Sequence, residues 1–160
     1  MRALAAVLLL CFAAGCGYRF VRPGGELPNG IRAVHAPVFK NETSESGAEA
    51  VFTQAFREQL MRAGTLGDDD ADGRVEGTLL SVNGAPLMVS PGRFPSYRVT
   101  ATVNVTLFQG AKRVRQATVT RHEDYLSGAD ILFTEANRQN ALRRLAEGLT
   151  REAYERLTGG

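Results

Sequence analysis

Apolar and polar residues alternate most regularly over residues 97–108, YRVTATVNVTLF. A period of two predicts a β-strand with one buried and one solvent-facing side. The apolar positions are Tyr97, Val99, Ala101, Val103, Val105 and Leu107, and the polar positions are Arg98, Thr100, Thr102, Asn104 and Thr106. Residues 109–112 read as a hairpin turn, and residues 113–125, rich in Arg and Thr, are typical of an edge strand.

Two other segments carry apolar residues at helical spacing. In the first segment these residues are Ala48, Val51, Phe52, Ala55, Phe56 and Leu60. Ser46 and Glu49 have the spacing of a capping box at its start. In the second segment the residues are Ala141, Leu142, Leu145, Ala146, Leu149, Ala153 and Leu157, and this helix is expected to begin between Ser127 and Glu135.

Residues 31–39 and 74–82 have the composition of two further strands. The predicted order is therefore β-α-β-β-β-α. This order favours an α+β two-layer sandwich, in which two helices pack on one face of a four-stranded, mainly antiparallel sheet.

Residues 83–96, NGAPLMVSPGRFPS, contain three Pro and two Gly and are predicted to form a long loop. The loop also contains the large apolar residues Leu87, Met88 and Phe94. Either these side chains fold back and cap the core, or they form a contact surface for a partner or an acyl chain. In the second case Arg93 is available for an anionic group.

The N-terminus has the pattern of an export signal. Arg2 precedes the uninterrupted apolar residues 3–14, a run shorter than the roughly 20 residues that a membrane-spanning helix needs. Residues 1–15 are therefore interpreted as a signal peptide. Residues 16–30, rich in Gly and Pro, form a predicted tether, and residues 31–160 form a single domain.

Cys16 follows the small residues Ala13, Ala14 and Gly15, which resemble a bacterial lipobox. Export would remove Cys11, the other cysteine of the chain, so Cys16 has no partner for a disulfide. We interpret Cys16 as a lipidation site carrying a diacylglyceryl group and an N-acyl chain; a buried or incidental cysteine is the alternative. Gly17, in place of an Asp after the cysteine, favours the outer membrane over the inner one.

Composition and motifs argue against several classes of function. The 19 Lys and Arg nearly balance the 17 Asp and Glu, without a basic stripe for nucleic acid. The acidic stretch 68–73 starts like a calcium loop, but Leu79 stands where the closing Glu is required. Neither His35 nor His122 has the spacing of a zinc site, and no nucleophile–base pair is recognisable. The sequence therefore predicts a protein that is not an enzyme and needs no metal or cofactor other than the covalent lipid.

Several segments together resemble the lipopolysaccharide-assembly lipoprotein family, LptE or RlpB. They are CGYRF (16–20), LPNGIRAVHAPVFKNET (27–43), AVFTQAFREQL (50–60), SYRVTATVNVTLF (96–108), EDY (123–125) and EANRQNALRRLAEGL (135–149). The resemblance implies a sandwich of two helices on a four-stranded sheet that plugs the outer-membrane β-barrel LptD and assists delivery of lipopolysaccharide. It also implies a lipid anchor in the inner leaflet of the outer membrane, with the domain facing the periplasm and the barrel lumen.

Two other functions remain open on the sequence. One is a periplasm-facing lipoprotein adaptor that binds another envelope protein or peptidoglycan through the same sandwich. The other is a lipoprotein hydrolase, which the missing nucleophile–base pair disfavours.

Overall fold

The computed structural model describes residues 27–88, 91–92 and 94–159. The elements in chain order are β1 (Val34–His35), β2 (Lys40–Asn41), α1 (Ala48–Arg62), β3 (Gly73–Met88), β4 (Ser96–Gln109), β5 (Lys112–Leu126) and α2 (Ile131–Thr158). Two helices pack on a mixed, mostly antiparallel sheet, which confirms the predicted fold class.

The sheet is built around the long antiparallel strands β3, β4 and β5, with β5 at one edge as predicted. On the other side, β1 and β2 both pair with β3 in parallel. The single first strand predicted at residues 31–39 is wrong, because Pro37 lies in an interruption where Ala36 and Phe39 are buried in the core.

The core lies between the helices and one face of the sheet. Val99, Ala101, Val103, Val105 and Leu107 of β4 are all buried, which confirms the predicted alternation. The apolar stripes of both helices are buried against them, with Phe56 and Leu149 fully covered. Leu27, at the end of the predicted tether, is also part of this core.

The predicted capping box at the start of α1 is wrong. Gly47 is the N-cap residue, with a left-handed φ of 81° and no side-chain capping bond. Asn41, at the end of β2, bonds to the start of the helix instead. Its side-chain amide donates to Glu49 Oε2 at 2.7 Å and to the Glu45 carbonyl at 2.9 Å. The same side chain accepts from the amide of Thr43, so one Asn joins strand, turn and helix.

The predicted loop at residues 83–96 is mostly strand, which is a second correction. β3 continues through Met88 and pairs with β4 as far as Met88–Ser96, with irregularities after Leu79 and Pro86. Pro86 is tolerated because β3 is an edge strand beyond its short pairing with β2, so the missing N–H faces outward. The result is a long β-hairpin instead of a loop.

Candidate functional site

The β3–β4 hairpin and the β5–α2 connection end at the same end of the sheet. Ser96 pairs with Met88 on one side and with Leu126 on the other, and the Ser127 amide donates to the Pro95 carbonyl at 2.8 Å. β3 has 16 residues, so at a rise of about 3.3 Å per residue this end of the strand lies about 50 Å from Gly73. Ile31 packs beside Gly73, so this early part of the described chain lies at the opposite end of the sheet.

Seven large apolar side chains are exposed at this end. We call them the apolar tip, and they are Leu87, Met88, Phe94, Leu126, Ile131, Leu132 and Phe133. Ile131 is 83% exposed and Leu132 is 78% exposed, which is unusual for residues of this size. Grouped exposed apolar side chains are typical of surfaces that bind a partner or a lipid.

Local hydrogen bonds hold the α2 side of the apolar tip in place. Asp130 caps α2 by accepting from the Phe133 amide at 2.9 Å. The Gly128 amide donates to Thr134 Oγ1 at 2.9 Å, and a Cβ at Gly128 would lie 2.3 Å from Phe133 Cβ. Only glycine therefore allows the chain to pass so close to the first turn of α2.

The face of the sheet opposite the helices is polar. We call it the polar sheet face; its members are Arg98, Thr100, Thr102, Asn104 and Thr106 of β4 with Gln116, Thr118, Thr120, His122 and Asp124 of β5. Cross-strand bonds join Thr102 to Thr120 at 2.9 Å and Asn104 Nδ2 to Thr118 Oγ1 at 2.8 Å. This face therefore offers hydroxyl and amide groups, without large apolar side chains between them.

Arg98 and Asp124 form a bidentate ion pair across the polar sheet face, with N–O distances of 2.7 and 2.9 Å. The hydrogen bonds from Arg98 lower the pKa of Asp124 below its ordinary value. Because the folded pKa lies below the unfolded one, the pair stabilises the fold above the unfolded pKa. That contribution is lost as the pH falls through the folded pKa.

We therefore expect Asp124→Asn to lower the thermal midpoint slightly at pH 7. The difference from the unsubstituted chain should shrink to zero as the pH falls below about 3.8, the ordinary Asp value. Thermal melts monitored by circular dichroism between pH 2.5 and 7 measure this difference. Asp70→Asn, in the turn before β3, is the control for the removal of one exposed carboxylate outside the pair. A constant offset for Asp124→Asn would contradict the assignment.

A second charged cluster joins α2 to the turn before α1 at the same end of the domain. Arg138 donates to both carboxylate oxygens of Glu45, and this bonding raises the pKa of Arg138. Tyr97 and Tyr125 stack nearby, with ring centroids 5.5 Å apart. These contacts join α2 to the turn before α1, and β4 to β5, close to the apolar tip.

The structure brings the described candidate residues together on one surface. Leu87, Met88 and Phe94 are exposed at 46%, 62% and 59%, so they do not cap the core. Arg93 and Cys16 lie outside the described residues, and their roles stay predictions. Leu126 and Ile131–Phe133 were missed, although three large apolar residues in one helical turn cannot all lie on a buried stripe.

No group of three His, Cys, Asp or Glu residues is placed to hold a metal among the described residues. Neither α1 nor α2 combines the length and apolarity required to cross a membrane. In the acidic turn before β3, Asp72 instead forms an ion pair with Arg32, and Asp69 Oδ1 lies 3.2 Å from His35 Nδ1.

The chain was compared with known families, sequences and structures. A family model described as LptE, lipopolysaccharide-assembly, matches residues 31–157, which is most of the chain. No curated protein sequence matched.

Among solved structures, a hypothetical protein of Chlamydia trachomatis has a TM-score of 0.55 at 11% identity, covering 81% of this chain and 99% of its own. A PelC dodecamer subunit of Paraburkholderia phytofirmans has a TM-score of 0.54 at 16% identity, covering 85% and 95%. The rare lipoprotein B of Shewanella oneidensis has 18% identity over 74% and 89%, with a TM-score of 0.44. The first two likenesses show a shared fold.

Proposed function

Since the chain belongs to the LptE family of lipopolysaccharide-assembly proteins, we propose that it is an outer-membrane lipoprotein that plugs and supports an LptD-type β-barrel. In this role it assists the assembly of lipopolysaccharide at the outer surface. It catalyses no reaction; its contribution is to occupy the barrel and to present a binding surface. The observation that carries the proposal is the combination of a polar sheet face with an apolar tip remote from Ile31.

The polar sheet face supports a position inside a barrel. The interior of an outer-membrane barrel is polar, so a plug must offer hydrogen-bonding groups to it. Thr100, Thr102 and Thr106 alternate along β4 on this face, and the Arg98–Asp124 pair neutralises its charges. A face of this kind can contact a polar lumen without burying an uncompensated charge.

The apolar tip supports the contact with lipopolysaccharide. Acyl chains need apolar surface, and the apolar tip offers Phe94, Leu132 and Phe133 among its exposed side chains. Arg93, next to Phe94 in the sequence, is our candidate for the anionic part of the ligand. Leu87 and Met88 are proposed to contact the lipid or the barrel wall.

The distance between the two ends of the domain supports one orientation of the chain in the barrel, with the apolar tip towards the outer surface. Ile31 packs beside Gly73, and the apolar tip lies about 50 Å away along β3. A lipid on Cys16 in the inner leaflet would therefore hold the start of β3 on the periplasmic side. The apolar tip would then point through the barrel towards the outer surface.

Site-specific cross-linking tests this placement in intact outer membranes. A photoreactive residue at Thr102 should cross-link to lumen-facing residues of the barrel, and one at Phe94 should cross-link to the barrel or to lipopolysaccharide. A photoreactive residue at Met61, exposed on α1 and away from both surfaces, serves as the comparison position. Cross-links from Thr102 to peptidoglycan-associated or soluble periplasmic proteins, with none to a barrel, would favour the adaptor function and reject the plug.

The lipid anchor has its own test. We expect Cys16→Ala to abolish incorporation of radioactive palmitate and to release the chain from the membrane fraction. The reason is that two or more acyl chains are needed for stable anchoring. Cys11→Ala is the matched control and should be labelled normally. Persistent labelling of Cys16→Ala would show that Cys16 is not the acylated residue.

A further inference from the structure

The outer edge of β5 has backbone groups that point away from the sheet. The amide of Ser127, just after β5, donates to the carbonyl of Pro95, just before β4, so the odd-numbered residues at this end of β5 direct their N–H and C=O towards β4. Backbone direction alternates along a strand, and the β4–β5 register is regular from Arg115 to Leu126. The even-numbered residues of this stretch therefore point outward.

Side chains of α2 cover this edge at only two places. Arg156 donates to the Thr118 carbonyl at 2.7 Å, and Asn137 donates to the Leu126 carbonyl at 3.0 Å. Between them, the N–H and C=O groups of Thr120, His122 and Asp124 form no hydrogen bond within the described parts of the chain. A short row of strand hydrogen-bonding positions is thus left open between two covered ends.

A groove lies beside the Leu126 end of this edge. Its volume is about 540 Å³, and it lies between Asp124, Tyr125 and Leu126 of β5 and the first half of α2, including Asn140 and Arg144. A groove between an edge strand and a helix is the geometry in which extended peptides add to a sheet. The backbone edge supplies the affinity, and side chains along the groove supply the selectivity.

We propose that the β5 edge from Thr120 to Asp124 binds a short extended segment of a partner protein as an additional strand. The inference rests on the proposed function in one respect, namely that the partner is the barrel. The barrel would contribute a loop or a terminal segment, because its own strands are already paired. The segment should be low in net charge, since Arg144 and Glu123 lie 3.6 Å apart and Asp124 is paired with Arg98.

A second copy of the chain fits this edge less well. Two β5 strands related by a two-fold axis would need a long open edge, whereas Arg156 and Asn137 leave only seven residues between the covered carbonyls of Thr118 and Leu126.

Proline substitution separates backbone addition from side-chain contact. His122→Pro removes an outward N–H, which an edge strand tolerates, whereas His122→Ala keeps the N–H and removes the imidazole. We expect His122→Pro to bind the barrel at least about tenfold more weakly than His122→Ala, equivalent to about 1.4 kcal/mol, because both variants lack the imidazole and only His122→Ala keeps the N–H. Circular dichroism of both variants checks that they fold.

Hydrogen exchange over residues 116–126 then identifies the bonds directly. In the lipid-anchored chain extracted with its partners, the amides of Thr120, His122 and Asp124 should exchange at least about tenfold more slowly than in the purified chain. Equal exchange in both samples would overturn the strand addition, even if the barrel is recovered and the proposed function stands. Protection without a barrel would show that the added strand comes from another partner and would overturn the inference, as would protection in a purified dimer.

Discussion

Replacing Leu87, Met88 and Phe94 together with Ser is expected to remove most of the barrel that is recovered with the chain. These side chains are about half exposed or more, so their loss should cost little in folding. Apolar residues grouped at a binding surface commonly carry most of its affinity. We therefore expect association to weaken at least about 100-fold, while the free energy of unfolding changes by no more than about 1 kcal/mol.

The measurement for the triple variant is paired. Recovery of the barrel from gently solubilised membranes reports association, and urea unfolding of the soluble domain reports stability. Val38→Ser with Met61→Ser is the matched control, because both residues are more than 60% exposed and lie away from the apolar tip. Equal loss of the barrel in the triple variant and the control would contradict the role of the apolar tip.

Gly77→Val is expected to destabilise the domain by about 1–3 kcal/mol or more, because it overfills the core. A Cβ at Gly77 would lie 2.5 Å from ring atoms of Phe39, a distance that real Cβ atoms do not adopt. The Phe39 ring cannot easily move, since it is buried and packs on Phe56 with centroids 5.5 Å apart. The segment between β1 and β2 would have to shift away from the sheet.

Gly84→Val is the control for this effect. Gly84 lies in the same strand, and a Cβ there would meet nothing within 4 Å. Urea unfolding of the two variants should therefore differ, with a lower midpoint for Gly77→Val and an unchanged or higher one for Gly84→Val. Equal midpoints would show that the Phe39 packing does not limit the stability of the domain.

Most of the fold could be predicted because its signals are periodic. The alternation over residues 97–108 defined the buried face of β4, and helical spacing defined the buried stripes of α1 and α2. Errors arose where a local signal competed with a tertiary one. Ser46 and Glu49 have capping-box spacing, but the Glu49 carboxylate accepts a hydrogen bond from Asn41 of β2 instead. No local sequence pattern shows that contact.

The hairpin was missed for a related reason. Proline and glycine in residues 83–96 indicate a loop when each residue is considered alone. Pro86 is compatible with a strand only if its missing N–H faces outward, and that requires knowledge of which strand lies at the edge. The apolar tip was accordingly predicted only in part, because Leu126 and Ile131–Phe133 join it through the topology of the sheet.

Occupation of a β-barrel by this chain is the central proposal. The direct measurement is gentle detergent extraction of the tagged, lipid-anchored chain from outer membranes, followed by affinity purification and quantification of the partners. We expect a large β-barrel protein in roughly equal molar amount. Elution of the chain alone, or with periplasmic partners and no barrel, would contradict it.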